Sequence, residues 1–276
     1  RADVGGERGG LVPFEELKQR HAVVWGAGPY QGVSETITDV HEALIERLDP
    51  QPGQRFLDLA TGTGAVAERA AEAGAEVIGI DIAPALIAQA KERAEARGLE
   101  IDYRVGDAEA LDLDDGSFDV VASSCGVMFA PDHGAIAREL ARVTTRGGRI
   151  ALACWTPGSA MADVFGVMRP FQPAPPPEGA RNPFEFGGED NVQELLSDDF
   201  DLELERRESV LRADSGEDVW QLFATEYGPT KVLADTLDGE RREELRQSFV
   251  DLHEASRQDG GVVFSRTYLL IVGTRK

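Results

Sequence analysis

Between Asp58 and Gly64 the chain reads Asp-Leu-Ala-Thr-Gly-Thr-Gly, after a short apolar run (RFLDLA, 55–60) and before an alanine-rich stretch that ends near Gly74. Glycines between a strand and a helix let backbone come within van der Waals range of a ligand lying across the strand ends. A second apolar run, EVIGI at 76–80, ends on Asp81, 17 residues beyond Gly64. A carboxylate there has the reach to accept hydrogen bonds from both hydroxyls of a ribose, and its charge makes such bonds strong. Asp58 has two readings: a carboxylate on the ligand side, or a turn residue that caps the following helix.

These residues need a frame that sets strand ends side by side. A third strand near 100–105, a fourth at 118–124 (FDVVASS) and a fifth within 146–155 (RGGRIALACW) continue the pattern. Pro84 suits the first turn of a helix that Gly98 ends, and Asp132 is available as the N-cap of a helix running through Val143. Strands alternating with helical crossovers predict a doubly wound, Rossmann-like α/β sheet that is mostly parallel. Two later strands, about 201–211 and 262–272, are separated by about fifty mostly helical residues. The expected organisation is a disordered start (1–10), an N-terminal helical lid of two helical stretches (11–50) and a ligand-binding core (51–156). A Pro/Gly-rich loop and helix follow (157–200), then the last two strands (201–276) with a helical cap inserted at about 214–258.

With these landmarks in register, residues 40 to 155 resemble the class I S-adenosylmethionine-dependent methyltransferases, nearest the ubiquinone/menaquinone-biosynthesis-like branch that acts on small molecules. Asp58, Ala60, Gly62 and Gly64 stand where that family has a D-x-G-x-G-x-G loop, with Ala60 in place of the first glycine and Thr61 inside it. The resemblance implies that S-adenosyl-L-methionine binds along this loop and leaves as S-adenosyl-L-homocysteine. It implies that Asp81 holds the ribose, Ile82 packs on the adenine, and Asp107, beside Ala108, accepts from the exocyclic amine. Ser123 and Ser124 would lie near the methionyl group and the transferred methyl. An antiparallel last strand and a methyltransferase activity (EC 2.1.1.-) on an aromatic, quinone-like or secondary-metabolite acceptor follow from the same resemblance. Trp25 and Tyr30 from the lid (WGAGPYQG, 25–32), with Trp220 and Tyr227 from the cap, are the expected acceptor contacts. Val219, Trp220, Leu222, Phe223 and Tyr227 recur there at helical spacing. No catalytic residue is assigned, because methyl transfer from a sulfonium gains chiefly from alignment and exclusion of water, and a base is optional.

Two alternatives stand beside this reading. Gly62, Gly64 and Ala67 also satisfy the G-x-G-x-x-A fingerprint of an NAD-dependent oxidoreductase, although the acidic landmark at Asp107 and the fifty-residue lead before the loop favour the methyltransferase. The same fold also serves as a non-catalytic ligand-binding module.

The balance of 28 basic against 50 acidic residues, net −22, repels nucleic-acid phosphates and anionic lipid surfaces, so neither is an expected partner. No apolar run approaches the roughly 20 residues that span a bilayer, and residues 1–10 carry no apolar h-region. A cytoplasmic protein without membrane insertion, monomeric or homodimeric, is the expectation. Cys125 and Cys154 lack metal-ligand spacing to any histidine, so buried inert thiols and no metal site are expected. His133, after Asp132, reads as a solvated surface residue, and so do His21, His41 and His253 on their helices.

Overall fold

The structure, a computed structural model, describes residues 14–276; the start at 1–10 lies outside them. One sheet organises the chain. Its strands are β1 (Arg55–Leu59), β2 (Glu76–Asp81), β3 (Ile101–Val105), β4 (Phe118–Ser124), β5 (Thr144–Trp155), β6 (Phe200–Ala213), β7 (Arg257–Gln258) and β8 (Gly261–Arg275). They lie in the order β3-β2-β1-β4-β5-β8-β6, with the two-residue β7 pairing β8. The first five pair in parallel, and β8 runs antiparallel to both β5 and β6. This is the expected Rossmann-like sheet with its antiparallel last strand. Residues 56–57 of β1, 121–122 of β4 and 150–154 of β5 are fully buried, as strands covered on both faces must be. The strand order reverses between β1 and β4, which opens a crevice at their carboxyl ends.

The helices are α1 (Glu15–Trp25), α2 (Gln31–Glu35), α3 (Thr38–Leu48), α4 (Ala65–Glu72), α5 (Pro84–Arg97), α6 (His133–Val143), α7 (Ala160–Met168), α8 (Glu189–Leu196), α9 (Gly216–Glu226), α10 (Gly228–Thr236) and α11 (Gly239–Glu254). Their ends carry the expected signals. Pro84 sits in the first turn of α5, Gly98 closes it at φ 66°, and Asp132 accepts from the Ala135 N–H at 2.9 Å. The lid differs from the sequence reading. It contains three helices, and α3 is a layer of the core: Val40, Leu44 and Leu48 are buried against β4 and β5, and Arg149 on β5 donates to the Leu48 carbonyl at 3.0 Å. Helices α1 and α2 stand over the strand ends, and α3 adds His41 to the cleft lining.

Lid and cap interlock through backbone. The Gly32 N–H donates to the Glu226 carboxylate at 2.5 Å. A Cβ at Gly28 would lie 2.3 Å from the Glu226 carbonyl oxygen, and one at Gly228 only 2.0 Å from that of Val24. Glycine is required at these approaches because no flexible side chain can give way. Within the cap, Trp220 and Phe223 pack on Phe249 with ring centroids 5.6 and 5.5 Å apart, and His253 lies 4.4 Å from Phe264 of β8. The cap therefore has a core of its own seated on the sheet.

Gly228→Ala should destabilise the protein by about 1–3 kcal/mol, the usual cost of forced overpacking. Gly239→Ala, where nothing lies within 4 Å of the added methyl, should be neutral or mildly stabilising. Thermal melts of the two variants check this; equal melting temperatures would show that the lid–cap approach is not tight.

Candidate active site

The cleft opens at the carboxyl ends of β1, β2, β3 and β4, roofed by α1 and α2. Its floor is the loop after β1. Ala60 turns out of the strand at φ 53°, Gly62 follows at 57° and Gly64 at 88°. Left-handed backbone costs an L-residue about 1–2 kcal/mol, and Ala60 is accommodated because its neighbour is glycine: a Cβ at Gly126 would lie 2.4 Å from the Ala60 methyl. Of the five non-glycine residues with positive φ among the described residues, Tyr30, Ala60 and Cys125 all line this cleft. Such strain concentrates at functional sites because the fold must overdetermine it.

Two buried carboxylates hold the loop. The Thr61 hydroxyl and the Ala67 N–H both donate to Asp58 Oδ2, at 2.6 and 3.1 Å. The Gly62 N–H donates to Asp81 Oδ2 and the Ala83 N–H to Asp81 Oδ1, both at 2.9 Å. Burial raises the Asp58 carboxyl to about 7, against the lowering effect of its two donors, and also raises Asp81, opposed by the backbone N–H groups. Both side chains line the cleft.

At the β3 end, Asp107 Oδ1 accepts from the Glu109 N–H at 2.9 Å, and Oδ2 accepts from the Lys18 ammonium on α1 at 2.7 Å. Lys18 also pairs with the buried Glu109. At the β4 end the Ser124 hydroxyl is buried with no hydrogen-bond partner among the described residues, and Cys125 follows, its thiol pushed up to about 12 by burial and therefore protonated at neutral pH. Trp25, Tyr30 and Phe129 wall this end, with ring centroids 6.3 Å (Trp25–Tyr30) and 4.8 Å (Trp25–Phe129) apart. Tyr227 of the cap stands behind them, 5.5 Å from Trp25 and 5.9 Å from Tyr30.

Residues 57–152 match a family model described as a methyltransferase domain. An uncharacterized protein of Mycobacterium tuberculosis is 36% identical over 244 residues, 84% of this chain and 89% of that one. A demethylmenaquinone methyltransferase of Thermus thermophilus is 45% identical over 108 residues, 38% of this chain and 48% of the relative. The chain belongs to the class I methyltransferase family. The solved structure of Bacillus subtilis YcgJ shares the fold, with a TM-score of 0.61 at 21% identity over 86% of this chain and 98% of that one.

The cleft of this methyltransferase-family chain gathers most of the residues expected from sequence. Asp58, Ala60, Thr61, Gly62, Asp81, Ile82, Asp107, Ala108, Ser124, Trp25 and Tyr30 line it. Three do not. Gly64 faces Tyr103, whose hydroxyl would lie 2.1 Å from an added Cβ, so that glycine makes room for a buried ring. Trp220 is turned into the cap core, and Tyr227 forms a second layer. Ser123 is fully buried, its hydroxyl accepting from the Val127 N–H at 3.2 Å. The cap-and-turn reading of Asp58 is borne out alongside its place in the cleft.

Sequence reasoning missed Lys18, Glu109 and the two lining histidines, His21 and His41. His41, His133 and His253 are buried, contrary to the solvated positions expected, because each turns to the inner face of its helix. His133 Nε2 lies 3.0 Å from the Met128 carbonyl oxygen. Lys18, His21 and Trp25 share one face of α1 at helical spacing, a signal present in the sequence but without the apolar character that marks a buried face. Both cysteines are buried and free, as expected.

A Tyr-x-x-x-Lys spacing of the kind dehydrogenases use does occur, at Tyr227 and Lys231, but Lys231 pairs with Asp235 at 2.6 Å and does not line the cleft. Among the described residues no cluster could hold a metal ion, and no helix is long and apolar enough to cross a membrane.

The Asp58 shift from 3.8 to about 7 has a signed consequence. The fold favours the protonated form, so this stabilising contribution is full below about pH 4 and is lost as pH rises through about 7. Asp58→Asn keeps an acceptor where Oδ2 stands and removes the charge. Its melting temperature should exceed the parent's by several degrees at pH 8.5, with the gap closing toward pH 4.5. Parallel melting curves across that range would contradict the assignment.

Proposed function

We propose that this methyltransferase binds S-adenosyl-L-methionine in the cleft and transfers its methyl group to a small molecule admitted between lid and cap. The observation that carries the reading is that Asp81, Asp107 and Ser124, at the ends of β2, β3 and β4, line one continuous cleft. The residues fit the cofactor. Among the described residues no atom lies within 4 Å of where a Gly62 side chain would begin, so backbone is open to a ligand, and no partner stands at hydrogen-bond distance from the buried Ser124 hydroxyl. Asp81 would take the ribose hydroxyls, Ile82 and Ala108 the faces of the adenine, and Asp107 its amine. Bound there, the cofactor supplies a sulfonium methyl, made electrophilic by the positive charge that leaves sulfur in transfer.

The chain's own contribution is alignment and dryness. Trp25, Tyr30 and Phe129 exclude water from the β4 end, which strengthens every electrostatic interaction inside. Burial lowers His21 to about 4 and His41 to about 3, so both imidazoles are neutral at pH 7 and neither retains an abstracted proton. The two imidazoles are therefore poor proton acceptors, and an atom that is already nucleophilic, such as a free amine or an acidic hydroxyl, suits this cleft best. The aromatic walls suit a compact, partly aromatic acceptor, and the Thermus relative, named a demethylmenaquinone methyltransferase, supports that choice.

Incubation with methyl-labelled cofactor and a panel of phenols, quinols and amines tests the reading. Label should appear in at least one small molecule, and failure across the panel with cofactor bound would favour a non-catalytic binding module. Asp81→Ala should weaken S-adenosylhomocysteine binding by about 1–3 kcal/mol, roughly 5- to 150-fold. Unchanged affinity by calorimetry removes Asp81 from the site. Tyr227→Ala should change acceptor preference more than Trp220→Ala, since only Tyr227 backs the cleft wall; the ratio of kcat/KM across the panel decides this.

A further inference from the structure

Helix α1 is attached in an unusual way. Of its eleven residues the single buried one is Lys18, and the N-terminal turn has no side-chain cap. Its apolar Val23 is exposed. A surface helix normally docks through an apolar stripe; in this one Trp25 packs on Phe129 at the C-terminal end, and the one residue that is buried outright is held through its ammonium. Lys18, 5% exposed, lies between Asp107 and Glu109. Glu109 is in turn fixed by the Asp132 N–H, which donates to its Oε1 at 2.8 Å. Burial alone would pull the Lys18 pKa down, but hydrogen bonds and charge from both carboxylates outweigh it and leave it raised, so the ammonium stays charged. Removing one partner of such a buried cluster is costly because the remaining charges lose their compensation.

We infer that Lys18 is a positioning residue for the adenine end of the cofactor, and that its pairing with Asp107 and Glu109 ties release of the cofactor to undocking of α1. Asp107 lines the cleft as the group placed to accept the adenine amine, and Lys18 holds that carboxylate at one oxygen while the Glu109 N–H holds it at the other. The same ammonium draws α1 down, bringing His21 and Trp25 on its inner face over the cleft. Orientation of Asp107 and closure of the lid thus share one interaction. Loss of Lys18 loosens both, with Trp25 still packed on Phe129, so cofactor should escape faster while the remaining ribose and loop contacts persist. This inference rests on the cofactor reading above.

Two measurements test it. In stopped-flow displacement, Lys18→Met should release S-adenosylhomocysteine at least about tenfold faster than the parent, and Lys18→Arg, which keeps the charge, should stay within about threefold. In the cofactor-free protein, hydrogen exchange of the α1 amides should speed up in Lys18→Met while those of β1, β4 and β5 are unchanged. Glu109→Gln, which retains an acceptor for Asp132, should move both readouts in the same direction, and it serves if Lys18→Met does not fold. Parental release rates in the folded variants, or unchanged α1 exchange, overturn the inference. If the parent itself fails to bind S-adenosylhomocysteine, the cofactor reading fails instead, while the exchange experiment still reports on α1.

Discussion

The turn out of β1 imposes the constraint on which the site depends. A chain passing through Ala60, Gly62 and Gly64 with positive φ leaves the sheet ladder and must find other partners for its N–H groups. Thr61 donates to the Ile80 carbonyl at 2.9 Å and Gly64 to that of Thr61 at 2.9 Å, while Gly62 turns to Asp81. Asp81 is therefore both the brace of the loop and the carboxylate facing the cleft. Asp58 performs a similar pair of tasks one strand away. Burial raises the cost of ionising both carboxylates, the charge of Asp81 adds to it at Asp58, and the donors aimed at them oppose it in part. The loop and the ligand site are one construction.

The lid and cap follow from that arrangement. A cleft at strand ends is open to water unless something covers it, and two separate stretches of chain do so here: α1–α2 before the sheet begins and α9–α11 between its last two long strands. They meet where glycines at 28 and 228 let backbone lie against backbone and where the Gly32 N–H meets the Glu226 carboxylate. Trp25 and Tyr30 of the lid face the cleft, and Tyr227 of the cap backs them from a second layer.

The core was legible because its signals are local. FDVVASS is a seven-residue apolar strand between turn residues, and β4 spans those same residues; Asp132 stands one residue before α6 and caps it. The motif residues followed, since strand, loop and carboxylate fix one another within a few turns. Contacts made across the chain were not legible in the same way. Lys18 lies 89 positions from Asp107, and nothing in a polar helix marks one of its lysines as buried. Gly64 reads as a ligand-facing glycine until Tyr103 is placed against it. His41 belongs to a helix assigned to the lid, and only the packing of α3 on β4 and β5 shows that its face is turned inward. Trp220 and Tyr227 share a helical stripe, yet one serves the cap core and the other the cleft wall, a distinction that depends on where the cap docks.

The central claim is that one cleft at the ends of β1 to β4 accommodates the cofactor with its ribose at Asp81, its adenine at Asp107 and its sulfur toward Ser124. A crystal structure of the protein with S-adenosylhomocysteine tests it most directly. The account predicts both ribose hydroxyls within hydrogen-bond distance of the Asp81 carboxylate, and the adenine between Ile82 and Ala108 with its amine at Asp107. An adenosine bound with its ribose away from Asp81, or outside this cleft, would contradict it.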